Sequence, residues 1–198
     1  MSGVKQYERS ELLDLAMDLF HRRSFTATST ADLVQELGIN RKSMYAEFGS
    51  KLGLFEAALD HYNATSLSSV LGGIEDPDAG PDAIRSTFTG FAAASENWAQ
   101  GRGCLLCNTA VERSVLDPAC GEHVDSYFER LTNAFGHAVR NGQDTGHISE
   151  TADNSELAAF FTMSLVGIAT MAKGRAQPDQ IHAATRVVLD TLKRHECS

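Results

Sequence analysis

The residues of this chain best equipped for covalent or metal chemistry are four cysteines and seven histidines. Cys104 and Cys107, in Gly-Arg-Gly-Cys-Leu-Leu-Cys-Asn-Thr, have the spacing used by zinc sites and redox disulfides. A structural zinc site needs a second such pair or nearby histidines, and the sequence offers neither. His21, His61, His123, His137, His147, His182 and His195 show no metal-binding interval, so no metal or other cofactor is expected. No Ser/His/Asp or paired-carboxylate pattern emerges, and Glu112 stands alone in its segment. No catalytic residue is therefore assigned, and an enzyme is not the expectation. Cys104 should lie in the first turn of a helix, where backbone N–H groups lower a thiol pKa, and Arg102 adds a cation. It is a candidate reactive thiol, set against the plainer reading of a buried small apolar residue. The N-terminus shows no apolar stretch after its first basic residue, so no secretory signal is expected and reduced thiols in a cytoplasm fit best. No unbroken apolar run reaches roughly 18 residues, so no membrane-spanning helix is expected.

A second constellation is cationic. Asn40-Arg41-Lys42-Ser43 opens a short amphipathic segment in a chain of net charge −9. That charge is unevenly spread. Up to Phe55 there are seven basic and seven acidic residues, and the remainder carries the whole excess. The basic residues of the first part group at 22–23 and 41–51. A neutral head on an acidic body permits a local phosphate-binding face while the body repels nucleic acid.

The elements that must position these residues read almost throughout at helical spacing. Leu12, Leu13, Leu15, Ala16, Leu19 and Phe20 predict a helix over about 7–23. Ser29-Thr30-Ala31-Asp32 has a capping-box pattern with Asp in place of Glu, and Gly38 ends the short helix that follows. Asn40 caps a third helix, 41–48, and Ser50 a fourth, 51–71. After the linker Gly-Gly-Ile-Glu-Asp-Pro-Asp-Ala-Gly-Pro (72–81) come helices at about 82–99, 104–116, 118–141, 153–173 and 178–194. The expected fold class is all-α, with about nine helices.

Leu33, Leu37, Ile39, Met44 and Phe48 form one apolar seam across the Gly38 turn, as in a helix-turn-helix. The free face of the second helix is then Arg41, Lys42, Ser43, Tyr45 and Ala46. Such a first turn suits the major groove, with Arg on base edges and Lys or Tyr on phosphate.

The run Ser-Thr-Ala-Asp-Leu-Val-Gln-Glu-Leu-Gly-Ile-Asn-Arg-Lys-Ser-Met-Tyr-Ala-Glu-Phe-Gly-Ser-Lys-Leu-Gly-Leu-Phe-Glu-Ala-Ala-Leu (29–59) resembles the signature of the TetR family of transcriptional regulators, over about residues 7–60. The resemblance implies a three-helix DNA-binding domain (1–52) and a ligand-binding, dimerising domain (53–198). It places DNA contacts on Thr28, Arg41, Lys42, Ser43, Tyr45 and Lys51. Lys42 stands where the family commonly has Gly, Ala46 where a polar residue is common, and Val34 where Ala is usual. Glu47 adds a negative charge near the DNA face and is expected to point sideways. The implied partners are a double-stranded, pseudo-palindromic DNA operator, a second copy of the chain and a small effector. The implied activity is repression relieved by that effector.

The C-terminal part carries fewer signals. The helices at about 153–173 and 178–194 are apolar enough to pair with their mates in a dimer, as the resemblance implies, or to serve as core. Phe88, Phe91, Trp98, Phe128 and Phe160, with Cys104, Cys107 and Asn108, are candidates to line a pocket for an apolar or aromatic effector. Some TetR-like regulators with a similar Gly-Cys-Leu segment use the cysteine as a sensor, which makes a thiol switch at Cys104 the first alternative. A helical interaction module or small helical enzyme is the alternative of another class.

Overall fold

A computed structural model describes residues 7–97, 103–112 and 118–197. Ten α-helices follow one another among them, with no strand. They are α1 (Arg9–Arg23), α2 (Thr30–Leu37), α3 (Arg41–Phe48), α4 (Lys51–Tyr62), α5 (Ser68–Leu71), α6 (Pro81–Asn97), α7 (Leu105–Glu112), α8 (Pro118–Asp144), α9 (Asn154–Lys173) and α10 (Pro178–His195). The expected helices are all present. The fourth continues through a π-helical turn (Asn63–Leu67) that joins α4 to α5. Residues 98–99 and 113–116 of two expected spans lie outside the described residues.

Local chemistry sets the ends of the first helices. The Ser29 hydroxyl accepts from the Asp32 N–H, and the Asp32 carboxylate accepts from the Ser29 N–H, closing the capping box. Gly38 ends α2 at φ 64°, a left-handed turn that costs glycine little. The side chains of Asn40 and Ser50 accept from the Ser43 and Gly53 N–H groups and so open α3 and α4.

One end of the core lies between α1 and α4. Leu12, Leu13, Ala16, Leu19 and Phe20 meet Leu54, Phe55, Ala58 and Leu59, all buried. The Phe20 and Phe55 rings sit edge to face at 4.8 Å. Burying apolar surface of this kind stabilises by about 25 cal/mol per Å². Leu33, Leu37, Met44 and Phe48 are buried and Ile39 packs against them, so the expected seam forms and fixes α2 against α3.

The same core continues between α6, α8 and α9. Phe88, Phe135 and Phe161 form a closed trio with ring centroids 5.7–6.0 Å apart. By length and composition α9 could cross a membrane, with mean hydropathy 1.4. The unbroken-run criterion overlooks it, because Thr, Ser and Gly interrupt the apolar residues. Here Leu157, Phe161, Leu165 and Ile168 turn inward, so its apolar length builds the body.

Arg130 of α8 secures the π turn. Its guanidinium donates to Asn63 Oδ1 at 2.6 Å, Ser68 Oγ at 3.0 Å and Glu75 Oε2 at 2.6 Å. Ser68 Oγ in turn donates to the Asn63 carbonyl at 2.9 Å, so the two ends of the π turn are bonded to each other and to Arg130.

Candidate nucleic-acid interface

The exposed surface of the head is built on the first turn of α3. Arg41 and Lys42 are exposed, and among the described residues neither is paired with a carboxylate. The Arg41 guanidinium lies 5.7 Å from the centre of the Tyr45 ring, one turn on. A hydrogen bond with Thr30, then the nearby Arg41, hold the Tyr45 phenol below its usual pKa. Ser43 is half-buried beside them. The Lys51 ammonium sits 4.1 Å over the Phe25 ring, a cation–π contact that fixes it at the first turn of α4. Arg41, Lys42, Ser43 and Tyr45 lie on α3 and Lys51 opens α4, at helix N-termini where cations and N–H groups suit an anion.

The other basic pair behaves differently. Arg22 bonds Asp18 at 2.8 Å and Glu36 at 2.6 Å, and Arg23 bonds Asp32 at 2.9 Å. These arginines tie α1 to α2 and offer little net charge to a phosphate. Glu47 turns sideways as expected, meeting Arg9 at 3.4 Å with its side chain only 12% exposed.

Thr28 departs from its expected place. Its side chain is fully buried and its hydroxyl donates to Ser24 O at 2.6 Å. It shapes the turn between α1 and α2 instead of facing outward.

The candidate pocket residues differ in burial. Phe88 is locked inside the aromatic trio, and Phe91 is also buried. Phe128 is half-buried, with its ring 5.5 Å from that of Tyr127. Phe160 is a correction: it stands 37% exposed on the outer side of α9, since α9 is apolar on more than its inner face. Trp98 lies outside the described residues. Asn108 is half-buried one turn into α7.

Cys104 and Cys107 lie together, both buried, each sulfur 3.7 Å from Tyr127 Oη. Cys104 sits just before α7, and its carbonyl accepts the Asn108 N–H at 2.9 Å. The hydrogen bond from Cys107 favours the Cys104 thiolate and lowers its pKa against burial; the same contact raises that of Cys107. Burial and the two sulfurs push Tyr127 upward. Among the described residues no group of His, Cys, Asp and Glu could hold a metal ion.

Beside this cluster is a joint that sequence reading missed. Glu112, at the end of α7, accepts the Phe25 N–H at 3.1 Å and the Thr26 N–H at 2.6 Å. Lys173 Nζ donates to His21 O at 3.1 Å, and His21 Nε2 lies 2.9 Å from Gly103 O. Burial lowers the Lys173 pKa, and Glu112 partly offsets it. Gly103 has φ 63°, and a Cβ there would lie 2.9 Å from Lys173 Cβ and 3.0 Å from Ala169 O. Only glycine fits this close approach without a shift.

A capped helix-turn-helix with a free cationic first turn, mounted on an all-α body, defines a class: DNA-binding regulators of the helix-turn-helix type. The comparisons place it further. Residues 12–58 match the family described as bacterial regulatory proteins, tetR family, and residues 80–188 match the tetracyclin repressor-like C-terminal domain. The chain belongs to the TetR family of transcriptional regulators. It is 28% identical over 193 residues to YezE of Bacillus subtilis (strain 168), an uncharacterized HTH-type transcriptional regulator, covering 97% of this chain and 100% of that one. It is 27% identical over 183 residues to the HTH-type transcriptional repressor ComR of Escherichia coli (strain K12), covering 89% and 85%. Among solved structures it resembles a cysteine mutant of the TetR family regulator CifR complexed with 26-bp operator DNA. The TM-score is 0.85 at 26% identity, over 95% of this chain and 98% of that one.

Proposed function

We propose that the chain is a homodimeric repressor released from a pseudo-palindromic operator by a small apolar or aromatic effector. One observation carries this reading: among the described residues Arg41 and Lys42 have no carboxylate partner at the exposed first turn of α3, whereas Arg22 and Arg23 are paired. Arg41, Lys42, Ser43, Tyr45 and Lys51 are the proposed contacts, and Thr28 acts through the turn. The reading head is residues 1–52 and the body residues 53–198. An effector in the body biases a two-state arrangement and changes the separation of the two α3 helices. The continuous helix of α4, the π turn and α5 connects the two parts.

The proposed dimer face is the outer side of α9 and α10. Phe160, Met163, Met171 and Val187 are exposed there, at 37%, 75%, 53% and 59%. Large apolar side chains grouped in this way mark an association surface. Operation in the cytoplasm follows from the operator reading.

A thiol switch is the second reading, favoured by the Cys107 contact that lowers the Cys104 pKa. Both sulfurs are buried, so a reagent needs an opening of the body to reach them.

The test is fluorescence anisotropy on DNA from directly upstream of the protein's own gene, against a random duplex at equal salt. A preference of about a hundredfold or more supports a specific regulator. Equal, weak binding to both counts against it.

A further inference from the structure

Ser24, immediately after α1, has φ 71° and ψ 167°. Glycine enters this region readily; a serine there is strained, and the strain persists only where the surroundings over-determine it. Here they do. Ser24 N–H donates to Phe20 O at 2.7 Å, and the Thr28 hydroxyl donates to Ser24 O at 2.6 Å. Both of these holds come from the head itself. The third comes from the body: Glu112 accepts the next two backbone N–H groups, from 86 residues away in the case of Thr26. Lys173 and Gly103 grip His21, three residues before the strained serine.

The turn held in this way runs through Thr28 and Ser29 straight into α2, and the apolar seam carries α3 with α2. The shape of the turn therefore sets where Arg41 and Lys42 stand relative to the body. We infer that Glu112 is a positioning residue for DNA binding, through which a displacement of α7 reaches α3. The inference rests on the DNA-binding reading above.

A carboxylate suits the task. Its two oxygens serve two adjacent N–H groups in charge-assisted bonds. A glutamine keeps one acceptor and presents an NH₂ to the other N–H. Burial opposes ionisation of Glu112, but the Thr26, Ser24 and Phe25 contacts outweigh it and hold its pKa below the ordinary value. The α7 helix that carries Glu112 also carries Cys107 and Asn108, so a change around those residues is felt at the turn.

The test compares the wild-type protein, Glu112→Gln, and Glu112→Gln with Ser24→Gly. Each is titrated on the upstream duplex and a random duplex over a range of salt, and its melting temperature is measured. Glu112→Gln should bind the upstream DNA about tenfold more weakly, a typical coupling between sites. It should remain folded at the assay temperature and keep the wild-type salt slope, since Glu112 touches no phosphate. Adding Ser24→Gly removes the strain and should recover part of the loss. Wild-type affinity in Glu112→Gln overturns the inference while leaving the DNA-binding reading intact. So does a loss that matches the unfolded fraction, or no recovery with glycine. A wild-type protein without preference for the upstream duplex defeats the DNA-binding reading and this inference together.

Discussion

Arg22 and Arg23 close α1; Arg41 and Lys42 open α3. All four are exposed, and in the sequence they look like two equivalent basic pairs. The first pair is enclosed by Asp18, Glu36 and Asp32, so it behaves as a brace between helices. The second is exposed, with Arg41 beside Tyr45, and among the described residues it has no carboxylate partner. The difference arises because α2 places its acids opposite the end of α1, while α3 has none in its first turn. Basic residues mark a binding surface only when the fold leaves their charge unspent. An acidic protein can then act on nucleic acid through a few residues.

The largest effect should come from reversing the second pair. Arg41→Glu with Lys42→Glu should abolish preference for upstream DNA, a loss of about a hundredfold or more by anisotropy. The melting temperature should hardly move, because both side chains are exposed. An equal loss from Arg22→Glu with Arg23→Glu in protein that remains folded would break the comparison.

Next in size is loss of the partner copy in the proposed dimer, which would remove one of two exposed pairs from each particle. Met163→Glu with Val187→Glu should convert a dimer to a 21.4 kDa monomer in light scattering. Affinity should then fall by about a hundredfold, since two linked heads bind far more tightly than one. A variant that stays dimeric would move the interface away from α9 and α10.

A smaller change sharpens the role of a single charge. Lys42→Ala should lower the slope of log K against log salt by about one, the mark of one lost phosphate contact. In the first pair, Arg22→Ala should cost at most about 1 kcal/mol of stability in a denaturant melt, as for other exposed ion pairs.

The smallest effect concerns acid. The Ser29 bonds, with help from Arg23, depress the Asp32 pKa. A depressed carboxyl contributes stability that is present above its unfolded value and is lost as pH falls through the folded value. The head should therefore loosen below the ordinary carboxylate range, and Ser29→Ala should raise the pH at which circular dichroism shows it. An unchanged midpoint would remove Asp32 from the acid response.

Much of the head was legible because its signals are local. Ser29, Gly38, Asn40 and Ser50 act on residues within three or four positions, so the sequence alone marks the helix ends they make. The apolar seam was legible for the same reason. Glu112 was not, because it bonds the backbone of residues some 86 positions away, and a backbone N–H leaves no residue-type signal. Arg130 and the π turn were hidden likewise, with partners 55–67 positions distant. Phe160 misled because α9 is apolar on its outer side as well as its inner one, and hydrophobicity does not say which apolar face meets the core. Thr28 misled because a resemblance matches positions and not exposure.

The most direct test of the central claim is a salt titration of two variants side by side. Arg41→Ala with Lys42→Ala, and Arg22→Ala with Arg23→Ala, are each titrated on the upstream duplex by anisotropy. The slope should fall by at least about one in the first variant, from Lys42, and stay unchanged in the second. Equal slopes in the two variants would contradict that claim.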